Sequence, residues 1–420
     1  MRTRIAIFAA AALAMTGILL TCTPAGGSIY MTIENEKQTP ASGLNQFLTV
    51  LDIVNIPGSV PLPYFVAAGA VFNGKQLDQA TNQIGWPVEN QAPVPVAPPA
   101  SGALCQSLAL SPNYAVDHSL LGGFFSSDGS IMGLYSTTTT GSGTSGTWNQ
   151  VTGGGAVSLS GKQIVLMQVA NGNLFVVAAS AGASNYTYEL DYSADPTSAS
   201  WSQVSGMTGL AAPVTGVAFS GSSYFITVAW TSGSTASLKT TPDLVTLTDA
   251  TASMGMLGAD DLRGVTADPS PGTNVLIPSK LGTVYYSTNS GAGWNHYTTG
   301  DQATNGNTGV VGFLTVSQQV GSSGPVYLVG SDGNSFYYLN LGGTGTFASG
   351  LSRFSDVTQT GLYAGAVRRI LVDYGSGRGN LVFFGMASSG PSYVAGPSEG
   401  LWRSSFDPTT GALSGTWVHD

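Results

Sequence analysis

Large apolar residues recur along this chain at a spacing that no single helix or sheet explains. Trp86, Trp148, Trp201, Leu247, Trp294, Phe347 and Trp417 close similar segments at intervals of 62, 53, 46, 47, 53 and 70 residues. A four-stranded propeller blade takes roughly 40 to 50 residues, and loop insertions account for the longer intervals. Each segment holds the strands this requires. Between Trp148 and Trp201, residues 163–169, 173–179 and 186–193 are rich in apolar, β-branched and aromatic side chains, with Asn171-Gly172 as a turn between the first two. The same order recurs at 214–219, 224–230 and 234–240 before Leu247, at 262–267, 274–278 and 283–287 before Trp294, and at 310–316, 326–330 and 335–341 before Phe347.

Composition closes off the helical alternatives. Only 8% of residues are charged, and 57 are glycine. Helix surfaces are normally filled with Glu, Lys, Arg and Gln, whereas Val, Tyr, Phe, Thr and Gly suit strands and tight turns. The expected fold is therefore all-β, a β-propeller of four-stranded antiparallel blades over residues 47–420. Seven closing residues predict seven blades, the first over 47–86 and the last over 366–417, with six or eight left open. Pro87, Pro93, Pro95, Pro98 and Pro99 mark 87–102 as an extended excursion between the first two blades. Ring closure has two readings: Ile29 to Ile33 as an added strand, or a last blade that completes itself. Thirteen Lys and Arg against 22 Asp and Glu give a net charge of −9. Such a chain is a poor ligand for nucleic-acid phosphates.

The first 21 residues predict export. Arg2 and Arg4 precede the apolar run Ile5 to Leu20, which is long enough for a signal core and short of the roughly 20 residues a spanning helix needs. The run ends at Leu19-Leu20-Thr21-Cys22, which resembles the bacterial lipoprotein box, although Thr21 departs from the Gly, Ala or Ser usual there. The resemblance implies lipidation (palmitate and related acyl chains) at Cys22 and anchorage to a membrane, with outer-membrane sorting favoured by Thr23. A plain secretory leader cut after Ala25 is the alternative. Residues 22–46 then read as a tether. With Cys22 acylated, Cys105 is left alone and reads as a small core residue.

One segment, Ser287-Thr288-Asn289-Ser290-Gly291-Ala292-Gly293-Trp294, resembles the Asp-box of the BNR-repeat propellers, a group that includes sialidases and sortilin-type receptors. Asn289 stands for the motif's Asp and Gly293 for its Thr. Degraded copies start at Ser193 and Ser405, the stretch from Thr240 to Leu247 keeps only the spacing, and residues 110–123 resemble a phrase that opens blades in the same group. The resemblance implies that Ser287, Asn289, Gly291 and Trp294 build a hairpin turn between third and fourth strands, with the Trp packed between blades. These four are architectural.

Chemistry is sparse. Gly141 to Gly146 matches G-x-G-x-x-G but leads into Trp148 and a strand, not into a helix that would hold a pyrophosphate, and Gly155 to Lys162 misses P-loop spacing. No metal-ligand spacing is present and no cofactor is implied. Sialidase activity requires an arginine triad, beginning in an early blade. Here the first arginine after the leader is Arg263, so no catalytic set is assigned. Candidate ligand contacts are the loop aromatics His296-Tyr297, Tyr363 and Tyr393, and the cations Arg263, Arg368 and Arg369. The expected function is a monomeric, lipid-anchored envelope module that binds an unknown protein or glycan. The alternatives are a glycoside hydrolase, with Glu189 and Glu399 as the first carboxylates to test, and a passive surface coat.

Overall fold

The residues described by the computed structural model run from Leu48 to His419, excluding several loops, chiefly 57–63, 81–93, 301–311, 343–349, 354–365 and 388–399. Side chains are described mainly between Ala103 and Gly342. Among the described residues, seven antiparallel sheets of four or five strands follow one another, each made from consecutive strands, and a two-stranded ribbon lies between the second and third. The strands that begin the sheets are Leu48–Ile56, Leu104–Leu110, Gln163–Ala170, Val214–Ser220, Thr266–Ala267, Phe313–Val316 and Ala366–Tyr374. Neighbouring sheets pack through or beside these strands, and Leu48–Ile56 lies against both Ala366–Tyr374 and Asn380–Ala387. The row of sheets therefore closes into a ring, and the fold is a β-propeller.

Trp148, Trp201, Leu247 and Trp294 each stand directly before an outer strand that pairs with the third strand of their sheets, at Asn149–Val151, Ser202–Gln203, Thr248–Asp249 and Asn295–Thr298. Trp86, Phe347 and Trp417 lie outside the described residues. The first sheet runs past Trp86: its edge strand is Val94–Pro95, with Val94 opposite Gln79 and Pro95 opposite Asp78. Part of the proline-rich stretch is thus an edge strand, a place where the missing amide of Pro95 has no further strand to bond. The last sheet is completed by Val418–His419, which pairs with Trp402 and Arg403. Ile29 to Ile33 lie outside the described residues.

Two-residue periodicity makes the core a series of layers between sheets. On Asn173–Ala181, Leu174, Val176 and Ala178 join Leu121, Leu134 and Trp201 in one cluster, while Phe175 and Val177 join Val217, Tyr224 and Ile226 in the next. One strand thus supplies two cores, because alternate side chains leave opposite faces. The next layer joins Phe225 and Leu238 to Val265, Ile277 and Tyr285, and the one after joins Leu276 and Val284 to Phe313, Tyr327 and Val329. Polar latches cross the same seams: Asn171 and Asn173 donate to the Tyr224 hydroxyl at 3.0 and 3.2 Å, and Asn274 donates to that of Tyr327 at 2.9 Å.

The Ser287–Trp294 segment is the turn between third and fourth strands of the fifth sheet. Ser287 Oγ donates to Asn289 Oδ1 at 2.8 Å and accepts from the amides of Asn289 and Gly291, while Asn289 Oδ1 accepts from Gly293 N. Thr241 and Asp243 make a similar turn, one residue shorter, in the fourth sheet, where Thr241 Oγ1 accepts from Leu244 N and Asp243 Oδ1 from Val245 N and Thr246 N. Gly291 has φ +84°, and a Cβ there would stand 2.6 Å from the buried Phe225 ring of the preceding sheet. Gly291→Ala therefore combines left-handed strain with a clash. It is expected to cost about 2 to 4 kcal/mol in urea unfolding, against no measurable loss if the turn is independent of the seam.

A buried carboxylate marks the face of the third sheet opposite the Leu190 cluster. Asp191 is fully buried, and neither oxygen has a hydrogen-bond partner among the described residues. Burial pushes its carboxyl up to about 8, and the adjacent Glu189 adds to the shift while Lys162, which pairs with Glu189, opposes it. The unfolded carboxyl ionises near 3.8, so between the two values the folded chain keeps a proton that the unfolded chain has lost. This contribution to stability is full below about pH 4 and is lost as pH rises through about 8. Asp191→Asn is expected to raise Tm more at pH 9 than at pH 5, read by circular dichroism. An equal change at both pH values would exclude an ionising buried acid.

Candidate functional site

The first strands of the second to seventh sheets surround a central cavity of about 620 Å³. Its polar lining includes Gln168, Thr215, Arg263, Thr315, Gln318 and Arg369, between apolar residues such as Leu166, Val217 and Leu371. Gln168 crosses part of the space: its Oε1 accepts from Val217 N at 2.7 Å and its Nε2 donates to the Val265 carbonyl at 3.3 Å, tying the third sheet to the fourth and fifth. Asp268 is the acidic member of the lining. Burial raises its carboxyl, against hydrogen bonds from the Tyr327 hydroxyl and the Asn274 amide that lower it.

A repeated irregularity shapes this wall. Six of the seven first strands carry a register shift near their start: between Val50 and Asp52, Cys105 and Ser107, Ile164 and Leu166, Val214 and Gly216, Phe313 and Thr315, and Val367 and Arg369. The fifth sheet has an equivalent, since Leu262 pairs with Ser279 and Thr266 with Leu276, four steps on one strand against three on the other. Bulges of this kind re-aim side chains. Arg263 and Arg368 occupy matching positions as the extra residue, and Arg369 is the residue that follows.

Arg263 is held by Asp261, one of two adjacent buried carboxylates. Asp261 Oδ2 stands 3.0 Å from an Arg263 Nη, while Asp261 Oδ1 accepts from Trp230 N at 2.6 Å. Asp260 is fully buried: its Oδ1 accepts from the amides of Asp261 and Leu281, and its Oδ2 from the Tyr285 hydroxyl at 3.0 Å. Burial, then the Asp260 charge, raises the Tyr285 phenol far above its ordinary value, so it remains a donor at any working pH. Asp260, Asp261 and Trp230 escaped sequence reasoning. The available signal was Asp260-Asp261-Leu262-Arg263, which contains the chain's one adjacent pair of acidic residues.

The structure divides the candidates. Arg263 and Arg369 share the cavity. Arg368 is on the same strand as Arg369, and its side chain lies outside the described residues. His296 and Tyr297 are corrected: they lie on the outermost strand of the fifth sheet, not in a loop at the rim, with Tyr297 stacked on Tyr286 at 5.1 Å between ring centres. Asn-His-Tyr-Thr there pairs with the third strand, which fixes both residues far out on the sheet. Glu189 is occupied by Lys162. Cys105 is buried in the second sheet. Cys22, Tyr363, Tyr393 and Glu399 lie outside the described residues. Among the described residues no three His, Cys, Asp or Glu side chains gather, and no helix is long and apolar enough to cross a membrane.

No protein-family model matches the chain, and no curated protein matches it. Solved structures do. YCF48 bound to D1 peptide superposes with a TM-score of 0.50 at 13% identity, covering 84% of this chain and 95% of that one. YCF48 from Cyanidioschyzon merolae gives 0.50 at 11% identity over 84% and 96%, and the Dos1 propeller gives 0.48 at 12% identity over 82% and 78%. At these identities the likeness to the two YCF48 structures concerns the fold alone, and the ring of four-stranded sheets identifies that fold as a β-propeller.

Proposed function

We propose that this chain is an exported, lipid-anchored binding module whose seven-bladed propeller holds a segment of a partner protein at its central channel. The observation that carries the reading is the cavity itself, walled by six first strands and furnished with Arg263, Arg369 and uncharged hydrogen-bonding groups. Concave sites with a few convergent polar groups are where ligands bind. The YCF48 structure with its D1 peptide supports a peptide as the kind of ligand such a fold accepts. The Asp-box resemblance supports a BNR-type repeat, and the leader with Cys22 supports anchorage at the cell envelope. A hydrolase is not favoured by the one test carboxylate among the described residues, Glu189, which is paired with Lys162.

Site-specific photocrosslinking in the full-length chain tests the reading. A benzophenone side chain at Thr215 or Thr315 in the channel is expected to give one discrete protein adduct, and the same group at His296 on the outer strand none. Adducts at all three positions alike, or at none, would sink it. The anchor is checked in the same cells: labelled palmitate is expected in the parent chain and absent from Cys22→Ser, and equal labelling would remove the lipid assignment.

A further inference from the structure

Asp260 and Asp261, the second of which holds Arg263, also arrange an apolar surface. Seven large hydrophobic residues stand exposed among the described residues, and three of them, Trp230 (43%), Leu257 (38%) and Leu281 (41%), are tied to this pair. Trp230 N and Leu281 N donate directly to Asp261 Oδ1 and Asp260 Oδ1. Leu257 N donates at 2.9 Å to the Tyr285 hydroxyl, which itself donates to Asp260. The exposed Lys280 donates its amide to the Asp261 carbonyl at 2.9 Å. Three loops from the fourth and fifth sheets thus converge on two buried carboxylates, at the end of the ring where Arg263 enters the channel wall.

Charge is distributed unevenly across this surface. Both carboxylates turn inward and accept from amides, Tyr285 and Arg263, whereas the cations remain outward. Lys280 is exposed, and a third of the Arg263 side chain is open, although its Nε is itself buried and has no acceptor among the described residues. A Trp and two Leu beside an arginine fork form the kind of cluster in which a few residues carry most of an interface's binding energy. Resting on the protein-binding reading above, we propose that Trp230, Leu257, Leu281, Lys280 and Arg263 form the docking site for a peptide segment in which apolar side chains flank a carboxylate. The apolar side chains cover Trp230 and the leucines, and the carboxylate is received by Arg263 and Lys280 at the channel mouth. Charge complementarity chooses the occupant: a neutral apolar segment desolvates Lys280 with nothing to receive its charge and leaves Arg263 with Asp261 alone, and a basic one is repelled.

Fluorescein-labelled decapeptides, each with Leu, Phe or Trp on both sides of a single Asp, are the probe, titrated by anisotropy against the full-length chain. Members of the Asp set are expected to bind saturably, and replacing Asp by Asn to weaken them at least about tenfold. Trp230→Ala, Leu281→Ser and Arg263→Gln are each expected to weaken binding by about tenfold or more. Val245→Ser, at an exposed apolar residue in a hairpin turn away from the pair, is expected to leave affinity unchanged. Near-ultraviolet circular dichroism distinguishes a lost site from a lost fold. The proposal is overturned if no member binds, if the Asn set binds equally well, or if Val245→Ser costs as much as Trp230→Ala. If the peptides fail while the Thr215 and Thr315 crosslinks persist, the docking site is wrong and the protein-binding reading stands; loss of both removes both.

Discussion

Everything in this molecule depends on strands being buried on both faces at once. Asn173–Ala181 is apolar at successive positions because Leu174, Val176 and Ala178 pack toward one neighbouring sheet and Phe175 and Val177 toward the other. A sheet in that position cannot be stable alone, since each face left open exposes apolar area worth roughly 25 cal/mol per Å². The ring is the arrangement in which each sheet serves as its neighbours' core. Polar groups reinforce the same seams, as where Asn274, Asp268 and Tyr327 share hydrogen bonds between the fifth and sixth sheets. The close packing of Gly291 on Phe225 shows how little tolerance the seams leave.

The all-β propeller architecture was legible because the period is long and its markers are large. Trp148, Trp201, Leu247 and Trp294 precede outer strands because a bulky side chain at the third turn fills the gap between diverging sheets. Thr241 and Asp243 were harder to see. Leu247 stands where the motif has Trp, and reading the segment from Thr240 put the turn one residue out of register, yet Thr241 and Asp243 accept from loop amides as Ser287 and Asn289 do, in a loop one residue shorter. The edge strand Val94–Pro95 was hidden by its prolines, which signal loops more strongly than edges.

The candidate site was legible only in part, for a physical reason. Arg263 and Arg369 stand out in a chain poor in charge, and both line the channel. Their company is set by long-range geometry: Asp261 reaches back 31 residues to Trp230, and Asp260 reaches forward 21 to Leu281. His296 and Tyr297 misled because an adjacent pair of polar aromatics looks like a loop, while ladder pairing with Val284 and Tyr285 makes it an outer strand.

The extra residue near the start of the first strands has a consequence for how such a wall changes over time. A residue excluded from regular pairing can be exchanged without disturbing either neighbouring ladder, so the bore of the ring is chemically independent of the frame that supports it. Where the extra residue lines the bore it is Thr215, Arg263 or Leu314, side chains with no common chemistry on a common backbone. Selection can therefore retune what the bore attracts one slot at a time, while the packing between sheets, where a single methyl group matters, is left untouched.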